Sequence, residues 1–306
     1  MPDFPYRNPS LPVDQRLADL LGRMTLEEKL AQMSIFHMET NNLPAEEMPL
    51  DEELKKLLAN GVGALGRPGL NSPARNTAIW TNSIQKYLRE QTRLGIPAFF
   101  VDEALHGLMA LGSTSFPQAI GLASTWDPEL VREVFSVAAK EMRLRGGNWA
   151  LTPVLDLGRD PRWGRTEETY GEDPLLGSRM GVAAVRGLQG DGLPIGREHV
   201  LATAKHFAVH GQPEAGTNSA PANYAEREIR ENFLPAFRAA VTEAGVGSVM
   251  ASYNEINGIP VHVNTWLLDE VLRKEWGFGG FIVSDGNGIS QLETLHHVAG
   301  SKAEAA

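Results

Sequence analysis

Cysteine is absent from the 306 residues, so the chain forms no disulfide and holds no metal through thiolate. That absence leaves the redox compartment open. Long apolar runs are missing too: no stretch approaches the roughly 18 residues that a membrane-spanning helix needs. The opening Met1-Pro-Asp-Phe-Pro-Tyr6 has no basic segment leading into an apolar one, so no signal peptide is read and a cytoplasmic location is expected. Positive charge is in deficit, with 28 Lys and Arg against 38 Asp and Glu, a net −10. This balance weighs against nucleic acid or a membrane as partner and suits a neutral substrate such as a sugar. His199, His206 and His210 lack the spacing of metal ligands, so no metal and no cofactor are expected.

What the chain does have is a series of short apolar runs ending on polar residues. Phe281-Ile-Val-Ser-Asp285 is bounded by Gly280 and breaks at once into Gly286-Asn287-Gly288. Ile96 to Asp102 and Trp149 to Asp156 also end on acids, and Val200 to His206 ends on Lys205-His206. Met33–Phe36, Gly61–Leu65 and Val246–Ser252 complete seven strand-like runs. Helical stretches separate them: Val13–Met24, with Leu17, Leu20, Leu21 and Met24 on one face; Leu50–Asn60; Ser72–Thr92; Asp127–Gly146; Leu175–Gln189; Tyr224–Ala244; and Thr265–Trp276. Thr25-Leu-Glu-Glu28 reads as a capping box and Asp127-Pro128 as an N-cap with proline at the first helical position. Strands alternating with helices predict an α/β protein with a parallel sheet. Its form would be a (β/α)8 TIM-like barrel, truncated before the eighth strand, with the chemistry at the carboxyl tips of the strands. Residues 1–306 would form that one domain.

Gly61-Val-Gly-Ala-Leu-Gly66 matches a dinucleotide-binding pattern literally, but a helix precedes it and Arg67-Pro68-Gly69 follows. That order is the reverse of what phosphate binding at a helix start requires.

Each remaining motif carries two readings. Asp285 is either the cap of a glycine-rich turn or a carboxylate poised to attack an anomeric carbon. Lys205-His206 is either a buried histidine beside a surface lysine or a pair of donors that grip sugar hydroxyls and keep a nearby carboxylate ionised. Arg162 and Arg165 flank Trp163 in a turn-rich segment, either a solvated loop or an aromatic and guanidinium clamp. Asp102 can accept bonds from substrate hydroxyls, whereas His106 reads as structural. Tyr253 ends a strand, where its phenol can reach Asp285 or simply pack in the core. Gly171-Glu172-Asp173 before Pro174 reads as a turn leading into a helix.

Taken together, DEALHG (102–107), DPRWGRTEETYGEDP (160–174), AKHFAVHG (204–211), MASYNEING (250–258) and IVSDG (282–286) resemble glycoside hydrolase family 3, the β-glucosidase and β-xylosidase family. The resemblance implies that Asp285 is the covalent nucleophile of a retaining exo-β-glycosidase that removes terminal β-D-glucosyl or β-D-xylosyl units. It implies that Asp102, Arg165, Lys205, His206 and Tyr253 bind the sugar of a small oligosaccharide or an aryl or alkyl glycoside. Three departures accompany it. Gly286 stands where the family often has a bulky aromatic, so a wider aglycone side is expected. The loop after His210 lacks the Asp-and-His pattern of the family's N-acetylglucosaminidases. The resemblance implies that the acid/base of the glucosidase branch lies in a following α/β sandwich domain, expected to be absent from these 306 residues, and nothing in the spacing of Glu214 or Glu255 assigns the role to them.

Two alternatives stand beside that reading. One is a non-catalytic sugar-binding fragment or pseudoenzyme without its general acid/base. The other is an aldolase or oxidoreductase on a similar barrel, in which Lys205 would form a Schiff base. An unclosed barrel has bare strand edges, so a homo-oligomer or a missing carboxy-terminal domain is expected to cover them.

Overall fold

A computed structural model of the chain describes residues 4–38 and 42–306. The first three residues of the amino-terminal segment read above lie outside that range. The chain divides into two compact units, Met1–Val101 and Asp102–Ala306.

In the first unit α1 (Val13–Arg23) and α2 (Leu26–Gln32) lead into β1 (Ile35–His37). There follow α3 (Glu52–Leu57), β2 (Ala64–Gly66), α4 (Ala74–Gln91) and β3 (Phe99–Asp102), of which the last residue, Asp102, is the first of the second unit. The capping box at α2 forms as read: Thr25 Oγ1 accepts from the Glu28 amide at 3.2 Å, and Glu28 Oε2 accepts from the Thr25 amide at 2.9 Å. Strands β1, β2 and β3 run parallel, with Leu65 opposite both Phe36 and Phe100. Leu58, Leu65, Ile84, Leu88 and Phe100 form a closed core beside them. The apolar face read on α1 is helical but not covered within the described residues: no α1 residue is buried, and Leu17 and Leu21 are 48% and 54% exposed. Helical spacing is a local property, whereas burial depends on what packs against the face.

In the second unit α5 (Ala119–Ala123) and α6 (Pro128–Leu144) precede β4 (Trp149–Ala150), and α7 (Pro174–Gln189) precedes β5 (Thr203–Phe207). Asp127 and Asp173 cap α6 and α7 by accepting from Leu130 and Leu176 amides at 3.1 and 2.7 Å. Both helices start on proline, whose missing N–H has no partner at that position anyway. They pack so closely that a Cβ on Gly187 would lie 2.5 Å from the Arg132 carbonyl, so only glycine fits there. The run read as a strand through Asp156 is largely irregular. It keeps β4 and two isolated bridges, Trp149 to Leu201 and Val154 to Lys205.

The helix read across Tyr224–Ala244 is divided. Residues Glu226–Glu228 form α8, a π-helical segment covers Ile229–Phe233, and Pro235 opens α9 (Pro235–Thr242). Proline cannot donate to the preceding turn, which accounts for the break. Strand β6 (Ser248–Ala251) lies between β5 and β9 (Phe281–Ser284), all parallel. A hairpin that the strand count missed, β7 (Glu255–Ile256) with β8 (Ile259–Pro260), turns on Asn257-Gly258, both at positive φ. Asn-Gly between apolar residues is a strong hairpin signal. A π-helical segment spans Trp266–Glu275, and α10 (Gly288–Thr294) and α11 (Lys302–Ala305) follow β9. The α/β class and the parallel pairing are thus as read.

Candidate functional site

All the candidate residues lie in the second unit. Strand β5 brings two of them together through a local irregularity. Ala204 pairs with Val249 and Phe207 with Ala251, so Lys205 and His206 together stand opposite Met250 alone. Two residues against one is a bulge, and it re-aims side chains that regular pleating would send to opposite faces. Both side chains are buried, at 3% and 2% exposure for the residues. Just beyond, Val209 takes φ +65, a costly conformation for a β-branched residue and one that clusters at functional sites.

His206 is fixed on two sides. Its backbone N–H donates to Asp156 Oδ2 at 2.9 Å, and its Nδ1 lies 2.8 Å from the same oxygen. Its Nε2 lies 3.1 Å from Arg165 Nη2. A guanidinium only donates, so Nε2 is the acceptor and Nδ1 carries the proton. Burial first, then the charges of Lys205 and Arg165, push His206 well below the usual imidazole range, which agrees with a neutral ring. Burial likewise pushes His210 down to about 3. Asp156, whose side chain is 1% exposed, also accepts from the Gly211 amide at 3.3 Å. Its burial raises it above the usual carboxylate range against the pull of these donors.

Arg165 is aimed by Glu168, which takes Nε and Nη2 at 2.8 Å each. Such a fork-to-fork pair sets the plane of the guanidinium. Its Cζ stands 5.5 Å from the centre of the Trp163 ring, within cation–π range, and Trp163 is held by Nε1–H donation to Asn218 at 2.8 Å. Arg162 does not join them: it folds back on Asp160 and its side chain is 69% exposed. The clamp therefore consists of Arg165 and Trp163 without Arg162.

Asp285 follows β9, with its N–H donating to the Ala251 carbonyl at 3.2 Å. Its Oδ1 accepts from the Gly286 amide at 2.7 Å, and its Oδ2 lies 3.9 Å from His206 Nε2. Burial raises this carboxyl above its usual range, while Gly286, Tyr253, Lys205 and Arg165 pull it down. Tyr253 donates to the Gly286 carbonyl at 2.9 Å, and burial with the adjacent Asp285 charge holds the phenol protonated. At Gly286 itself a Cβ would stand 3.3 Å from the Tyr253 hydroxyl.

Asp102 ends β3 buried, and its carbonyl accepts from the Leu151 amide at 3.0 Å. The next residue, Glu103, reaches Lys205 Nζ at 2.8 Å and engages its ammonium. Of the remaining readings, His106 bonds the Phe116 carbonyl and Asp173 caps α7. Glu255 is paired with His296 at 2.8 Å, and Glu214 with Asn223. Among the described residues no group of three or more acids and histidines is arranged to hold a metal.

Glu103, Asp156, Glu168 and His210 were not among the candidate site residues. Asp156 had a signal, an acid at the end of an apolar run. The other three lie inside the quoted motifs, where nothing in their spacing separates a partner from a bystander.

The model of the Glycosyl hydrolase family 3 N terminal domain matches residues 25–306. A putative β-xylosidase of Formosa agariphila is 42% identical over 306 residues, covering 98% of this chain and 40% of its own length. A periplasmic β-glucosidase of Salmonella typhimurium is 35% identical over 280 residues, covering 91% and 34%. Among solved structures, a β-glucosidase from Erythrobacter marinus superposes with a TM-score of 0.89 at 40% identity, covering 98% of this chain and 40% of that one. A β-glucosidase from Listeria innocua in complex with isofagomine superposes at 0.81 with 35% identity, covering 95% and 39%. The chain thus spans between 34% and 40% of the length of these relatives. The chain belongs to glycosyl hydrolase family 3, and its residues 25–306 correspond to the N-terminal domain of that family.

Proposed function

We propose that this chain is the nucleophile-bearing part of a retaining exo-β-glycosidase acting on terminal β-D-glucosyl or β-D-xylosyl residues, with its strands in a (β/α)8 TIM-like barrel. The carrying observation is the Asp285 carboxylate, with Oδ2 3.9 Å from His206 Nε2 and within the fields of Lys205 and Arg165. The names of the relatives, β-xylosidase and β-glucosidase, support the substrate class.

Asp285 Oδ2 attacks the anomeric carbon as the bond from that carbon to the leaving oxygen breaks. A general acid protonates the leaving oxygen, and water then attacks the glycosyl-enzyme and releases Asp285. In the longer relatives, the lengths outside the matched share are where we place the acid/base. The neutral His206 spends its Nε2 lone pair on Arg165 and so aims that guanidinium at the sugar, while Arg165 and Lys205 donate to hydroxyl oxygens and Asp102 accepts from them. Tyr253 steadies the turn that carries the nucleophile. These bonds accelerate the reaction to the extent that they tighten in the transition state.

Proton NMR of 2,4-dinitrophenyl β-glucoside and β-xyloside hydrolysis tests the stereochemistry. Such leaving groups depart without an acid, and added azide takes the glycosyl group from Asp285 without a general base, so the anomer of the glycosyl azide reports the stereochemistry independently of the acid/base. The β-anomer is expected as the first product. The α-anomer appearing first would contradict a covalent intermediate.

A further inference from the structure

A second layer of side chains lies behind the nucleophile and takes no part in the reading above. Asp285 is followed by a tight turn in which its own carbonyl accepts from the Gly288 amide at 2.9 Å and from Ser284 Oγ at 2.7 Å. Ser284 Oγ also lies 2.9 Å from His262 Nε2, on the one-turn helix Val261–Val263 that follows β8. The Ser284 hydroxyl spends its only proton on the carbonyl, so it accepts from His262, and the His262 proton sits on Nε2. The other nitrogen, Nδ1, is buried with no partner among the described residues. Burial, and then His296, push His262 down to about 4, so the ring is neutral and has one N–H to give. That N–H goes to Ser284.

We infer that His262 is a positioning residue for the Asp285 nucleophile, acting through Ser284 to fix the backbone from which the attacking carboxylate projects. The inference rests on the reading of Asp285 as the nucleophile and adds a residue that no motif singled out. The chain of bonds runs from His262 Nε2–H to Ser284 Oγ–H to the Asp285 carbonyl, and at no point does it touch the carboxylate. Sugar binding through Lys205, His206 and Arg165 is therefore left out of it. The glycine at 288 belongs to the same device: a Cβ there would lie 2.5 Å from His262 Cε1 and 2.7 Å from Ser284 Oγ. Any side chain would wedge the pair apart.

The consequence is a loss in the attack step without a loss in sugar affinity, since a displacement of about 1 Å in a reacting group can cost on the order of a hundredfold in rate. The experiment follows covalent labelling of the 306-residue chain by 2,4-dinitrophenyl 2-deoxy-2-fluoro-β-glucoside, read by intact mass. Its bond formation needs only Asp285, because dinitrophenolate departs without a proton. In His262→Leu the limiting labelling rate is expected to fall about ten- to a hundredfold, with the half-saturating concentration within about twofold of wild type. His262→Gln, whose amide can donate to Ser284, is expected to recover most of the rate. Gly288→Ala provides the same test without removing the histidine, should His262→Leu not fold, and the same loss is expected. Wild-type labelling rates at Asp285 in both His262→Leu and Gly288→Ala would overturn the positioning role alone. A label on another residue in the wild-type chain would overturn the reading of the nucleophile, and this inference with it.

Discussion

Asp156 Oδ2 lies 2.8 Å from His206 Nδ1 and 2.9 Å from the His206 amide nitrogen, so one carboxylate oxygen fixes both the ring and the backbone of that histidine. Held so, the ring has its Nε2 3.9 Å from Asp285 Oδ2. Replacing the oxygen with an amide therefore disturbs the tautomer as well as the position.

In Asp156→Asn, an NH2 group faces either the Gly211 amide or the His206 donors. Leaving a buried donor unpaired costs about 1–3 kcal/mol. We expect a loss of stability of that size by urea unfolding, together with reduced glycosidase activity. In the wild type, 15N NMR of His206 is expected to show the neutral Nδ1–H tautomer at pH 6. A doubly protonated ring at that pH would contradict the assignment.

Lys205 and Arg165 both pull the Asp285 carboxyl down against its burial. Removing the charge in Lys205→Met raises that carboxyl further, so it takes up its proton at a higher pH. Since attack needs the carboxylate, the acid limb of the labelling-rate profile is expected to move toward higher pH. A limb unmoved or shifted to lower pH would mean that Lys205 does not act on Asp285.

Glu103 and Lys205 form a largely buried ion pair, with side chains 16% and 4% exposed. Breaking such a pair from one side strands a charge and costs on the order of 3 kcal/mol. Glu103→Leu is expected to be destabilised by about that amount, and Glu103→Leu with Lys205→Met to recover much of it. Equal stability of Glu103→Leu and wild type would show that the lysine finds another partner.

His206 and His210 are neutral in the fold because burial pushes both down. In the unfolded chain each takes up a proton as pH falls through about 6.5. The unfolded state then binds more protons, so stability falls as pH drops below about 6.5, by up to about 1.4 kcal/mol per pH unit for each ring. Asp156 and Asp285, raised above 3.8, act with the opposite sign above that pH and moderate the fall. Thermal melts are expected to be level near pH 7 and lower at pH 5. A melting temperature that rises between pH 6 and 5 would contradict neutral buried rings.

Much of the scaffold was legible because it is written locally. Thr25, Asp127 and Asp173 cap helices within three residues of themselves, and short apolar runs mark the strands. The path from Trp149 to Asp156 misled because an apolar composition does not say which residues find ladder partners. The β7–β8 hairpin was missed although Asn257-Gly258 carries its signal. In the site, motifs brought Arg165, Lys205, His206, Tyr253 and Asp285 to attention. The partners that orient them were silent: Glu103 and Lys205 are 102 positions apart, and Asp156 and His206 are 50 apart. Such pairings arise from the register of strands and the β5 bulge, which no local pattern encodes. Arg162 and Arg165 look alike in sequence, yet Asp160 draws one outward and Glu168 draws the other in.

The most direct measurement is the site of the covalent label. The chain is incubated with 2,4-dinitrophenyl 2-deoxy-2-fluoro-β-glucoside, digested, and its modified peptide sequenced by mass spectrometry. A single fluoroglucosyl group on Asp285 is the expected result. A group on any other residue, with Asp285 unmodified, would contradict the role given to this carboxylate.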